Sequence, residues 1–254
     1  MPSTLVFLAI AFTVLVTSFI SGILGMAGGM ILMGVLLALL PLPAAMMLHG
    51  VTQMASNGWR AVLWRRSVEW RVFRGYALGA GTALLAFLVV QLIVSKPVAY
   101  ILLGLTPFVS YMLPARLTLN VDSRGHAFAC GSVCMALQLV AGVAGPLLDA
   151  FFVRSAMDRR SVVATKAMSQ TLGHLIKIVY FGGLSLLATG SATALSPWLL
   201  AVCVVTAFSG TSLSKRVLEG MSDANFRAWT KWTVLAMGVV YLATGAAMML
   251  GIIA

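Results

Sequence analysis

Acidic side chains are scarce in this sequence. Its 254 residues hold six Asp and Glu against 17 Lys and Arg, and charged types of both signs reach only 9%. A soluble domain carries roughly 25% charged residues. Hydrophobic types make up 61%, mean hydropathy is +1.02, and apolar runs recur from end to end. Many approach the ~20 residues needed to span a bilayer, and no soluble core could bury them all. Cysteine is rare too. Cys130, Cys134 and Cys203 all lie in apolar runs. The first two are one helical turn apart, a spacing open to a redox or metal pair, but small apolar packing residues are the plainer reading. The three histidines, His49, His126 and His174, are scattered. H-E-x-x-H, G-x-S-x-G and G-x-x-x-x-G-K-[ST] are all absent, which argues against a zinc or serine protease and against ATP drive within this chain. No metal or cofactor is expected.

The net charge of +11 would suggest nucleic acid in a soluble protein. Here no soluble module presents a basic face, so no nucleic-acid partner is expected. The basic residues instead punctuate the apolar segments, as the positive-inside rule requires. The start, Met1-Pro2-Ser3-Thr4, lacks a basic n-region, and the apolar stretch that follows outruns a signal-peptide core, so it reads as a retained membrane segment.

Apolar length and punctuation place long spans near 44–64, 75–95, 97–115, 162–185, 197–214 and 231–253. Two further stretches, 4–41 and 127–153, are broken by glycine clusters. The arm 146–153 would cover only about 12 Å at 1.5 Å per residue, less than half the ~30 Å hydrocarbon core. Both stretches therefore read as bent helical hairpins with apices near mid-membrane. Arg65, Arg66, Arg71 and Arg74 mark one basic loop, Arg116 and Arg124 a second, Arg154, Arg159 and Arg160 a third, and Lys215, Arg216, Arg227 and Lys231 a fourth. These loops are assigned to the cytoplasm. The connections 41–43 and 186–197 and both termini carry no charged side chain and are assigned outside, together with Lys96.

Shifting the second half by 117 positions superposes Gly25-Met26-Ala27-Gly28-Gly29 on Gly142-Val143-Ala144-Gly145-Pro146. The same shift brings His49 onto Lys166, Gln53 onto Gln170, Asn57 onto His174 and Arg60 onto Lys177. With an insertion, Val68-Glu69-Trp70 then meets Ser196-Pro197-Trp198. The expectation is an all-α polytopic membrane protein of two inverted-topology repeats, 1–118 and 119–254, each a Gly-broken helical hairpin followed by three transmembrane helices. A glycine break frees backbone N–H groups at the positive end of a half-helix, which makes Gly28, Gly29 and Gly145 candidate anion contacts; close helix packing through small residues is the competing reading.

Spacings of four, four and three place His49, Gln53, Asn57 and Arg60 on one face, and Lys166, Gln170, His174 and Lys177 on another. Such faces are costly in lipid and should point into the bundle. All eight side chains can donate hydrogen bonds and none is a carboxylate, which is the inventory of an anion site. Gln53 and Gln170 are the leading substrate contacts, with the hydroxyls of Ser56 and Ser169 beside them and Arg60 and Lys177 supplying positive charge. His49 and Lys166, nearer the mouths, are candidates for gating. His174 is a candidate for proton coupling. Each of these residues could instead make a helix–helix hydrogen bond or snorkel, Arg60 above all. Asp149 is the one carboxylate placed within a membrane stretch, either a proton carrier or the structural partner of Lys177 or Arg154.

These features resemble the sulfite exporter TauE/SafE family, also called the 4-toluene sulfonate uptake permease family. Its duplicated unit opens on an L-G-x-G-G-G cluster, then a polar helix, a basic loop and a V-D-W-like triplet. The counterparts here are Leu24-Gly25-Met26-Ala27-Gly28-Gly29, the helix from Gln53 to Trp64, Arg65-Arg66 and Val68-Glu69-Trp70. The chain departs from the pattern at Ala27, Ala144, Pro146 and Asp149. The resemblance implies a bacterial cytoplasmic-membrane exporter or permease for sulfite, sulfonates or related oxyanions. The expected partners are thus a small anion, the lipid bilayer and a coupled proton or ion. An anion channel and an intramembrane enzyme are the alternatives.

Overall fold

The computed structural model describes residues 3–24, 26–112, 119–189, 195–219 and 223–253. Gly25, Arg116, residues 190–194 of the 186–197 connection and the 118/119 repeat boundary lie at or outside the edges of the described residues, as do the side chains of Leu24, Arg159, Lys215, Arg216 and Arg227. The described residues form ten α-helices: α1 (Thr4–Leu24), α2 (Ala27–Leu39), α3 (Leu42–Leu63), α4 (Trp70–Val90), α5 (Lys96–Met112), α6 (His126–Ala141), α7 (Gly145–Phe152), α8 (Arg159–Thr189), α9 (Pro197–Glu219) and α10 (Asp223–Met249). No strand occurs among the described residues.

The stretches read as hairpins fold as α1–α2 and α6–α7, and those read as long spans fold as α3, α4, α5, α8, α9 and α10. The breaks have local causes. Gly142 caps α6 with φ +81, a left-handed backbone that glycine adopts without a Cβ clash, and its N–H bonds to Gln138 O. Pro146 then sits in the first turn of α7, where its missing N–H costs nothing. The arms are unequal. α1 has 21 residues, about 31 Å of helix and enough to cross a bilayer alone. α7, with eight residues, is the short arm.

Four helices combine spanning length with high hydropathy: Thr4–Ile23, Trp70–Val90, Pro197–Ser214 and Ala228–Met249. Only 22% of the last window is buried within the protein, which leaves most of that helix to face lipid. α3 and α8 are long enough, at 22 and 31 residues, but their polar faces lower their hydropathy.

Helix pairing follows a pattern. α1 packs on α9, α4 on α6, α3 on α8 and α5 on α10, with α2 also against α10 and α7 against α5. Exchanging α1–α5 for α6–α10 in order maps this set of pairs onto itself. The α1–α9 and α4–α6 pairs are parallel and depend on missing side chains. A Cβ on Gly79 would lie 2.0 Å from Phe128 O, and one on Gly210 would lie 2.4 Å from Leu15 O. Small residues here let backbones touch, which is how membrane helices gain dispersion contact without a hydrophobic drive. α3 and α8 run antiparallel, and so do α5 and α10, where Gly104 and Gly238 lie against each other's carbonyls. Tyr100 and Tyr241 donate from α5 and α10 to Gly34 O and Met30 O, fixing the half-helix α2 against both.

Residues of three of the expected basic loops gather at one end, although Arg71 lies in the first turn of α4 and Arg160 in that of α8 rather than in loops. Arg71 donates to Asp122 O, Glu69 N–H to Thr165 Oγ1, and the Arg160 guanidinium lies 5.6 Å from the Trp64 ring centre. Exposed Trp59, Trp64 and Trp70 surround this end, the setting in which Trp lines a membrane interface.

Candidate functional site

The polar faces of α3 and α8 do face inward, against each other. His49, Gln53, Ser56 and Asn57 of α3 are buried, as are Ser169, His174 and Lys177 of α8. Gly50 provides the close approach, since a Cβ there would lie 2.7 Å from Ile178 Cγ1 and 3.3 Å from His174 O.

A chain of hydrogen bonds crosses this interface and links the two helix breaks. Lys177, 0% exposed, donates from Nζ to Gly142 O at 3.0 Å and to His49 Nδ1 at 2.7 Å. With Nδ1 accepting, the imidazole carries its proton on Nε2 and donates to Gly29 O at 2.9 Å. Each break therefore supplies one carbonyl, and the ammonium has no carboxylate partner among the described residues. The His49 and His174 rings are neighbours, with centroids 5.4 Å apart. His174 Nδ1 pairs with Gln138 Nε2 at 3.2 Å.

The other end of the helix pair differs. Arg60 donates to Asn57 Oδ1 at 2.7 Å, and Lys166 forms an ion pair with Asp149 of α7. Of the structural partners weighed for Asp149, Lys177 bonds instead to Gly142 O and His49 Nδ1. The 117-residue shift that carries His49 onto Lys166 also carries Arg60 onto Lys177, so the two ends occupy corresponding positions.

Between these ends lies a cavity where the breaks meet; a Cβ on Gly145 would sit 2.7 Å from Met26 Cβ. Among the expected residues, Gln53, Gln170, His174, Gly29, Gly145 and His49 line it. Gln53 Nε2 is buried with no hydrogen-bond partner among the described residues. The cavity volume is about 20 Å³, room for about one water. His49, expected near a mouth, lies inside at 1% exposure because the first turn of α2 covers it, with Gly29 O 2.9 Å from its Nε2.

Other candidates stand apart. Ser56 bonds to Thr211 of α9 at 2.9 Å, and Ser169 Oγ is buried away from the cavity without a partner among the described residues. Gly28 packs on α1, where a Cβ would lie 2.0 Å from Thr17 O. Asn57, Arg60, Lys166, Lys177 and Asp149 do not line the cavity. The walls hold three groups that sequence reasoning missed: Gln138 and Cys134 of α6, and Tyr76 of α4. One signal was available for Gln138. The 117-residue shift places it opposite Ser21, so each break follows a polar residue by about one turn. Cys130 and Cys134 are free thiols with sulfurs 3.9 Å apart. No cluster of three or more His, Cys, Asp or Glu suited to a metal occurs among the described residues.

An all-α, multi-pass membrane protein whose broken helices meet at a buried, donor-lined cavity has the build of a membrane transporter. Its sequence matches the family model for sulfite exporter TauE/SafE over residues 10–241, and the chain belongs to that family of membrane transporters. No curated protein and no solved structure matches it.

Proposed function

We propose that this protein is a secondary transporter that carries a small sulfur oxyanion or organosulfonate across the cytoplasmic membrane by alternating access. The observation that carries this reading is the cavity at the meeting helix breaks. Amide and imidazole groups line it, no carboxylate does, and the Lys177 ammonium stands one hydrogen bond behind His49. Anions gain most from such an arrangement, because hydrogen bonds to charged groups are worth about 1.5–3 kcal/mol each and the positive ends of α2 and α7 open nearby.

Two inverted repeats, 1–118 and 119–254, give the carrier its moving parts. The antiparallel runs of α3 against α8 and of α5 against α10 support that plan, as does the pairing pattern that survives exchange of the halves. The convergence of three basic loops supports a cytoplasmic end there, with both termini opposite. A 20 Å³ cavity holds no sulfur oxyanion until its walls part. That favours a carrier that opens to one side at a time over a standing pore. Parting α3 from α8 breaks the Lys177–His49 bond, and protonation of His49 and His174 at that step would couple transport to protons.

The test is counterflow in proteoliposomes. Saturable exchange of labelled sulfite against internal unlabelled sulfite supports a carrier. Unitary current steps without counterflow would move the assignment to a channel.

A further inference from the structure

Three carboxamides reach the cavity, one more than the two repeat-related glutamines. Gln138 comes from α6, whereas Gln53 and Gln170 come from α3 and α8. It is 4% exposed and interrupts an otherwise apolar and small-residue helix, Met135-Ala136-Leu137-Gln138-Leu139-Val140. A polar side chain in such a position is expensive in a membrane and marks function by default. Its Nε2 faces His174 Nδ1 at 3.2 Å, and its amide also packs on Gly173, where a Cβ would lie 3.1 Å away. The glycine makes room for the amide beside the imidazole.

The charges around the cavity are equally specific. No lining residue is Asp, Glu, Lys or Arg. Lys166 is neutralised by Asp149, and Arg60 is bonded to Asn57 about three turns from His49 along α3. Among the described residues one cation, Lys177, is hydrogen-bonded to a lining side chain, and it is fully buried. A single negative charge in the cavity is balanced by that ammonium. A second would be a buried charge without a partner, which is strongly unfavourable. The walls can also accept as well as donate. Each carboxamide has a carbonyl oxygen, so an anion that keeps a hydroxyl finds an acceptor for it.

We propose that Gln138 is a substrate-binding residue, and that with Gln53 and Gln170 it selects singly charged sulfur oxyanions, hydrogensulfite or a sulfonate, over sulfate and the sulfite dianion. The inference rests on the anion-transport reading above. Gln53 Nε2, buried without a partner among the described residues, is the donor left open for such a ligand. Gln138 holds its amide in the same space from the α6 side, and an incoming anion takes the place of its contact with His174.

The experiment is initial-rate uptake into proteoliposomes of labelled sulfite, sulfate and methanesulfonate, each measured across the second ionisation of sulfurous acid with equal pH on both sides. Sulfite uptake at fixed total concentration should fall with the monoanion fraction as pH rises, and methanesulfonate uptake should stay level. Titration of His49, His174, Lys177, Tyr76 or Cys134, or a change at Arg60 or the Lys166–Asp149 pair, would move both substrates together, so their divergence isolates the charge of the substrate. Sulfate should be taken up about tenfold or more slowly than methanesulfonate. Gln138→Leu should raise the KM for methanesulfonate about tenfold to a hundredfold, the loss of one hydrogen bond to a charged group, with a smaller effect on the maximal rate. Gln138→Glu keeps the shape and adds a negative charge. It should abolish uptake of both anions while the protein still elutes as a single folded species. Sulfate carried as well as methanesulfonate, sulfite uptake indifferent to its ionisation, or an unchanged KM in folded Gln138→Leu would each overturn this inference and leave the transporter standing. No uptake of any anion by the wild type would overturn the transport reading, and this inference with it.

Discussion

Lys177 Nζ lies 2.7 Å from His49 Nδ1, and through that bond an ammonium on α8 is tied to Gly142 O at one helix break and, by way of the imidazole, to Gly29 O at the other. Removing either partner has a different cost. His49→Leu leaves a buried ammonium with one acceptor fewer, so it should destabilise the protein by about 2 kcal/mol. Lys177→Met removes the buried charge altogether and should cost less, because an apolar residue of similar length replaces an ion that was desolvated without a carboxylate. Thermal unfolding in one detergent orders the two variants. Both should lose transport about a hundredfold, since the cavity loses the cation or its link to it.

The helix crossings predict a split among glycines. Gly79→Ala and Gly210→Ala place a methyl against the backbone oxygens of Phe128 and Leu15, which cannot rotate away, and should each cost about 1–3 kcal/mol. Gly81, two residues on and so on the opposite side of α4, has nothing within 4 Å of its Cβ position. Gly81→Ala should be neutral or stabilising by up to about 1 kcal/mol, the helix-propensity difference. Melting temperatures of the three variants check this.

The start of α8 provides a pH test outside the membrane. Asp158 accepts from Ser161 Oγ at 2.7 Å and from the backbone N–H groups of Arg160 and Ser161. The Ser161 hydroxyl, followed by those N–H groups, holds the Asp158 carboxyl below the usual carboxylate range. Its folded value is thus the lower one. The cap contributes fully above the unfolded value of about 4 and is lost as pH falls through the depressed folded value. Hydrogen exchange at the Arg160 and Ser161 amides, compared at matched intrinsic rates, should quicken at low pH in the wild type. In Asp158→Ala it should be quick at every pH.

The ends of the bundle make a topological prediction. In a background without Cys130, Cys134 and Cys203, Ser67→Cys sits in the α3–α4 connection and Ser196→Cys just before α9. A membrane-impermeant maleimide should label them from opposite sides of the membrane. Labelling of both from one side would remove the inverted arrangement.

The sequence made the long elements legible because bilayer thickness and glycine leave marks in one dimension. α3 and α8 were readable from their spaced polar residues, and the break before α7 from Gly142 to Pro146. What stayed hidden depends on which helix meets which. Gln138 and Tyr76 stand singly in helices with no polar periodicity, and only the packing of α6 beside α4 and α8 brings them to the cavity. His49 read as a mouth residue because sequence position does not show that α2 folds back over it and offers Gly29 O. The Lys166–Asp149 pair was hidden for the same reason, since nothing in the spacing of 149 and 166 says that α7 turns its carboxylate towards α8. Hydropathy alone undercounts α3 and α8, because the faces that form the site make those helices look less membranous.

The most direct test of the account is uptake of labelled methanesulfonate by proteoliposomes holding wild type or the double variant Gln53→Ala, Gln170→Ala. Both amides line the cavity and neither bonds to the Lys177–His49 chain, so the variant should fold. Saturable uptake by the wild type, reduced about a hundredfold or more in the folded double variant, is the predicted result. Equal uptake by the two proteins would contradict the site, and the anion path would have to lie elsewhere in the bundle.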